Sequence, residues 1–207
     1  MDNHYLDEKI IVFKNQIHQL RLQEEELEQL QDQFDFEKGW IVYQTKKMPV
    51  KKQTILNMFD MFLPKSFQVM NDTFVRIKYP ALYNSDAVIF TNEDATADIL
   101  FHIQGVPFIV EDLPEICKIH CELLSQTHPT VKIIDVGTQT EGQTIFSYMM
   151  FVAPGTDHAI YNLVFCFCIQ DCLITGTCNC LAIERENWEV IFLKLLETIT
   201  DLQMKGV

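Results

Sequence analysis

The sequence predicts an α+β fold: an antiparallel sheet flanked by helices, with an extra amphipathic helix at the N-terminus. Three observations predict it. Residues 144–152, 159–170 and 172–183 read as consecutive strands, and residues 187–204 then switch to a helical period. Elsewhere strand-like runs come in pairs divided by short polar turns, with no repeated strand-helix-strand unit. Only seven Gly are present, and neither a GxGxxG nor a GK[ST] phosphate loop occurs.

In chain order, residues 7–36 contain no Gly or Pro and form the first predicted helix. Leu6, Phe13, Leu20, Leu27 and Phe34 recur every seven residues, with Ile10 and Ile17 between them. This heptad seam is the candidate surface for self-association or partner binding. It weakens where Glu24 and Gln31 take the positions held by Ile10 and Ile17. Residues 1–40 hold ten acids against four bases, so negative charge concentrates here. Gly39 marks the expected helix end. Residues 40–43 are β-prone, and the Lys-rich stretch 44–53 is the expected linker. The domain boundaries are therefore 1–43, 44–53 and 54–207.

Residues 55–63 are the expected first strand of the main domain, closed by Pro64. Residues 74–79 alternate in character and are expected to be a strand closed by Pro80. Residues 87–91 and 97–104 form a predicted hairpin around Asn92-Glu93-Asp94, which lacks the ligand spacing and closing Glu of a calcium loop. Asp112, Pro114 and Glu115 form a capping pattern for a helix to about residue 126, burying Leu113, Ile116, Cys117, Leu123 and Leu124. Residues 131–136 are a further strand, and 137–142 a polar loop. Gln170-Asp171 is the turn of the terminal hairpin. In the closing helix Trp188, Ile191, Phe192, Leu195, Ile199 and Leu202 share a face. Burying them contributes on the order of 10 kcal/mol before chain entropy is subtracted.

Composition narrows the function classes. A net charge of −13 opposes binding to nucleic acid or to anionic membranes. No secretory leader and no membrane span is recognisable. Seven Cys, several inside strands, fit free thiols in a reducing cytoplasm.

Phe62-Leu63-Pro64-Lys65-Ser66-Phe67, Tyr79-Pro80, the hairpin over 87–104, the helix over 112–126 and the closing hairpin with the Trp188 helix come in an order that resembles the PsbP-like superfamily. This is the α/β/α sandwich of photosystem PsbP and the yeast Ran-binding Mog protein. The resemblance covers about residues 54–202. It implies a mostly non-enzymatic family that works by binding proteins, and it has no general catalytic motif to carry over. Some bacterial relatives are chaperones of secretion effectors.

Candidate chemistry is sparse. Cys117, His120 and Cys121 share a helical face, but a structural zinc site needs a fourth ligand. Cys166-Phe-Cys168 and Cys178-Asn-Cys180 place each pair of sulfurs on one strand face without the turn of a C-x-x-C knuckle. Asp157-His158 lies in a turn, His102 lies in a strand, and no G-x-S-x-G elbow is present. The expectation is a non-enzymatic cytoplasmic protein-binding module without cofactor. It acts through Leu6, Ile10, Phe13, Ile17, Leu20, Leu27 and Phe34. The alternatives are a secretion-effector chaperone or adaptor, or a small-ligand or metal-binding domain whose pocket is lined by Cys166, Cys168, Cys178 or Cys180.

Overall fold

The computed structural model describes residues 33–203 except 45 and 84, together with Lys14, Ile17 and His18. It divides into two compact units, Met1–Val50 and Lys51–Val207. Leu6, Ile10, Phe13, Leu20 and Leu27 lie outside the described residues.

In the first unit β1 (Gln33–Asp35) pairs antiparallel with β2 (Trp40–Tyr43), and β2 pairs with the start of β3 (Lys46–Ile55). Phe34, expected at the end of a long helix, is therefore in a strand, with its ring 6.2 Å from that of Tyr43. Gly39, at φ 78°, serves the β1–β2 turn and not a helix end. Asp35 fixes the same turn, accepting from the Lys38 backbone N–H at 3.0 Å. Once this turn forms, the β-prone Trp40–Tyr43 run offers residues 33–35 a partner, and strand pairing wins over helix propensity. The Lys-rich stretch expected to be a linker is strand β3. It keeps its four lysines exposed while Val50 and Ile55 are buried.

In the second unit the expected strand over 55–63 is split by a turn. Leu56 and Asn57 have φ of 54° and 55°, and Met58 N–H donates to the Ile55 carbonyl at 3.1 Å. Two successive left-handed residues make a hairpin turn matched to strand twist, and β4 (Phe59–Pro64) follows.

The main body is a seven-stranded antiparallel sheet. Its strands are β5 (Gln68–Val69), β6 (Val88–Thr91), β7 (Ala97–Pro107), β8 (Lys132–Gln139), β9 (Phe146–Ala153), β10 (Ile160–Ile169) and β11 (Cys172–Leu181). Their order is β5-β6-β7-β11-β10-β9-β8. Two sequence-local meanders, β5 to β7 and β8 to β11, are thus joined along one long-range seam between β7 and β11. The terminal hairpin turns at Gln170 and Asp171, both at positive φ (52° and 58°), as the polar pair requires. The loop expected over 137–142 is shorter, because β8 runs on to Gln139.

Three α-helices lie wholly within the described residues. Of residues 74–79, expected to be a strand, 74–78 fall in α1 (Asp72–Lys78) and Tyr79 is its C-cap; Asn71 caps the other end by accepting from the Phe74 backbone N–H at 3.0 Å. The segment α2 (Leu113–Thr127) carries Pro114 in its first turn as expected, but the Asp112 side chain makes no capping bond. Leu113 and Cys117 are buried on α2, whereas Leu123, expected inside, is exposed. The closing helix α3 (Arg185–Leu196) is shorter than the pattern over 187–204 predicts. The β-branched run Thr198-Ile199-Thr200 leaves the helix, and β12 (Thr200–Asp201) pairs with β4. Among the described residues no helix is long and apolar enough to cross a membrane.

One face of the large sheet is a packed aromatic core under α3 and β4. The Phe59 ring meets Phe101 at 5.4 Å and Phe167 at 5.2 Å, edge to face, and Trp188 stacks on Phe192 at 5.2 Å. Gly176 sits opposite Phe165 on this face, where a Cβ would collide with the Phe165 ring and with the Leu100 carbonyl.

Candidate functional site

The opposite face of the same sheet is only partly covered. At one side α2 packs over Cys166 and Leu173 through Leu113 and Cys117. At the other, α1 and the turn after it bring Val75, Tyr79 and Leu82 onto Met70, Ile89 and Leu100. Between them a groove of about 460 Å³ runs over the β7–β11 seam and onto β10.

The floor follows from register. Directly paired residues on β7, β11 and β10 form three rows: Asp98-Asn179-Asn162, Leu100-Thr177-Val164, and His102-Thr175-Cys166. The end rows are polar, and the middle row is apolar apart from the Thr177 hydroxyl. Gln104 extends the third row: its Nε2 lies 2.8 Å from Thr175 Oγ1 and 3.1 Å from His102 Nδ1. Donating to both leaves Gln104 Oε1 as an acceptor and puts the His102 proton on Nε2.

The first row is held by a buried polar cluster. Asp98 is fully buried, and its Oδ2 accepts from Lys78 Nζ and from the Tyr79 hydroxyl, each at 2.6 Å. Asn179 donates in turn to the Tyr79 oxygen at 2.7 Å. Burial, with Asp98 beside it, pushes the Tyr79 phenol well above its usual range. Tyr79, Asn162 and Asn179 also border a second concavity of about 400 Å³, which Lys78 and Pro154 help to line.

The cysteines divide between the two faces. Cys117 and Cys166 lie in the groove wall with their sulfurs 3.8 Å apart. The hydrogen bond with Cys117, together with burial, pushes the Cys166 thiol up. Cys168 donates to the Phe108 carbonyl at 3.1 Å. Cys178 and Cys180 are buried on the core face, where burial raises both, Cys180 to about 12. The two C-x-C pairs are therefore back to back. His120 reaches the groove, but Cys117 beside it faces Cys166. Among the described residues no group of three His, Cys, Asp or Glu is placed to hold a metal ion.

Of the residues singled out by sequence, the groove gathers Cys117, His120, Cys166 and His102. Ile17 is helical and 37% exposed, and Phe34 is in β1; neither belongs to the groove. Sequence reasoning missed Asn162, Asn179, Thr175, Thr177 and Gln104. The signal was available in Thr175, Thr177 and Asn179, a polar stripe at alternate positions of an otherwise apolar strand.

No protein-family model matches the sequence, and no curated protein matches it either. Solved structures do. Cyanobacterial PsbP from Synechocystis sp. PCC 6803 is 9% identical and superposes with a TM-score of 0.54, over 73% of this chain and 92% of that one. The domain has a PsbP-like fold. A protein of unknown function from Pseudomonas aeruginosa is 10% identical over 73% of this chain and 96% of its own, with a TM-score of 0.43. A Bacteroides thetaiotaomicron protein is 11% identical over 73% of this chain and 48% of its own, with a TM-score of 0.44. At these identities the likeness concerns the fold alone.

Proposed function

We propose that this chain is a non-enzymatic binding module that holds its ligand in the groove on the polar sheet face. One observation carries the reading. The two faces of one sheet are finished differently: one is sealed by α3 and β4, the other left with an open groove of about 460 Å³, within the usual size of ligand sites. The test is native mass spectrometry of the full-length protein purified from its host, beside a groove-filled Val164→Trp variant of unchanged circular dichroism. A stoichiometric species bound to the wild type and lost from the variant is expected. Identical spectra for the two would overturn the reading.

A protein partner or a second copy at the N-terminal heptad seam is the second reading. The 37% exposure of helical Ile17 favours it, since an apolar heptad position is left partly in water. Sedimentation of full-length protein against Leu20→Glu tests it. A drop to a smaller species, or loss of a co-purifying protein, is expected; unchanged assembly and partners count against it.

A further inference from the structure

The groove's lining is unlike the rest of the chain in charge. Of the fifteen described residues that line it, none is Asp, Glu, Lys or Arg, although 22% of the chain is charged. Asp98, at the end of the first row, is not part of the lining: it is fully buried and paired with Lys78 at 2.6 Å. A charged ligand entering here would give up hydration without meeting an Asp, Glu, Lys or Arg side chain in the lining. Neutral hydrogen-bonding groups are supplied instead, and they are placed at two ends. Asn162 and Asn179 form one end; His102, Thr175 and Gln104 form the other. Leu100 and Val164 lie between them. Rows one and three are four residues apart along a strand, which is about 14 Å.

Resting on the binding-module reading, we infer that the groove takes an uncharged, elongated small molecule with an apolar middle and a hydrogen-bonding group at each end. The side-chain amides offer both donors and acceptors, so hydroxyl, amide or carbonyl ends are all served. The apolar row between them takes the body of the molecule out of water.

Three probes of equal length separate this class from its competitors: decanediol with a hydroxyl at each end, decanedioate, and diaminodecane. Each extended ten-carbon chain is close to the span between the polar rows. They are titrated into full-length 15N-labelled protein at pH 7.5, following the side-chain amide signals of Asn162, Asn179 and Gln104. Saturable shifts are expected with the diol, at an affinity at least about tenfold above either charged probe. In Thr177→Lys, which puts a cation in the middle row, decanedioate should overtake the diol.

Shifts at these amides that favour a charged probe in the wild type would overturn the ligand class and leave the groove as a binding site. If no probe moves these signals, the groove reading itself falls, and the class with it. An unchanged order of affinities in folded Thr177→Lys would show that the probes bind elsewhere, which also overturns the inference. If that variant does not fold, the wild-type order alone decides.

Discussion

The two faces of the seven-stranded sheet are built from alternate residues of the same strands, yet they answer to different demands. On one face Phe101 and Phe167 are fully buried against Phe59, and Phe165 is fully buried against Phe101. On the other the directly adjacent positions Asn162, Val164, Thr175 and Thr177 stay partly open. The lesson is that period-two alternation lets one strand supply a sealed core on one side and an open groove on the other. Substitutions one residue apart should then differ sharply in effect.

The largest effect is expected for Phe167→Ala on the core face, which loses about 4 kcal/mol of unfolding free energy in urea titration. Gly176→Ala comes next, at about 3 kcal/mol, because the new methyl meets a ring and a backbone carbonyl. Tyr79→Phe should cost about 1.5 kcal/mol, since Asp98 and Asn179 both lose a partner. It also changes the alkaline limb. The Tyr79 phenol is held neutral in the fold above its ordinary value of 10. The unfolded chain therefore releases that proton first as pH rises. This contribution is full below pH 10 and is lost progressively above it, so Tyr79→Phe should flatten the loss of stability measured between pH 10 and 12. The smallest effect is Thr177→Val, within about 0.5 kcal/mol. A loss above 2 kcal/mol for that variant would place Thr177 in the core and break the contrast between faces.

The core face was legible in the sequence; the groove face was much less so. Runs such as Tyr161-Asn-Leu-Val-Phe-Cys-Phe-Cys-Ile169 announce a buried strand whatever lies above it. Gln170-Asp171 announces a turn, and the Trp188, Ile191, Phe192 and Leu195 spacing announces the covering helix. The groove depends on which strands become neighbours. Thr175 meets His102 only because β11 pairs with β7, and nothing local in either strand states that. Misread segments have local competitors of similar strength. Alternation over residues 74–79 favoured a strand until Asn71 capped a helix. The lysines of 46–52 resemble a linker because the buried positions of β3 are only Val50 and Ile55. The cysteines were assigned to faces correctly within each pair. The relation between the pairs needed the β10–β11 register, in which Cys166 faces Thr175 and Cys178 faces Leu163.

The β7–β11 seam has a further meaning for how the molecule comes into being. Each meander can form from contacts close in sequence, but the seam joins residues 97–107 to 172–181 and must close a long loop first. Since the groove floor straddles that seam, a chain with both meanders formed and the seam open has most of its secondary structure and no groove. Long-range pairing of this kind is intrinsically slower than local hairpin formation, so on the proposed binding role competence to bind would wait for the seam to close. On the same proposed role, a ligand in the groove would hold the seam shut and raise stability by mass action on the native state alone.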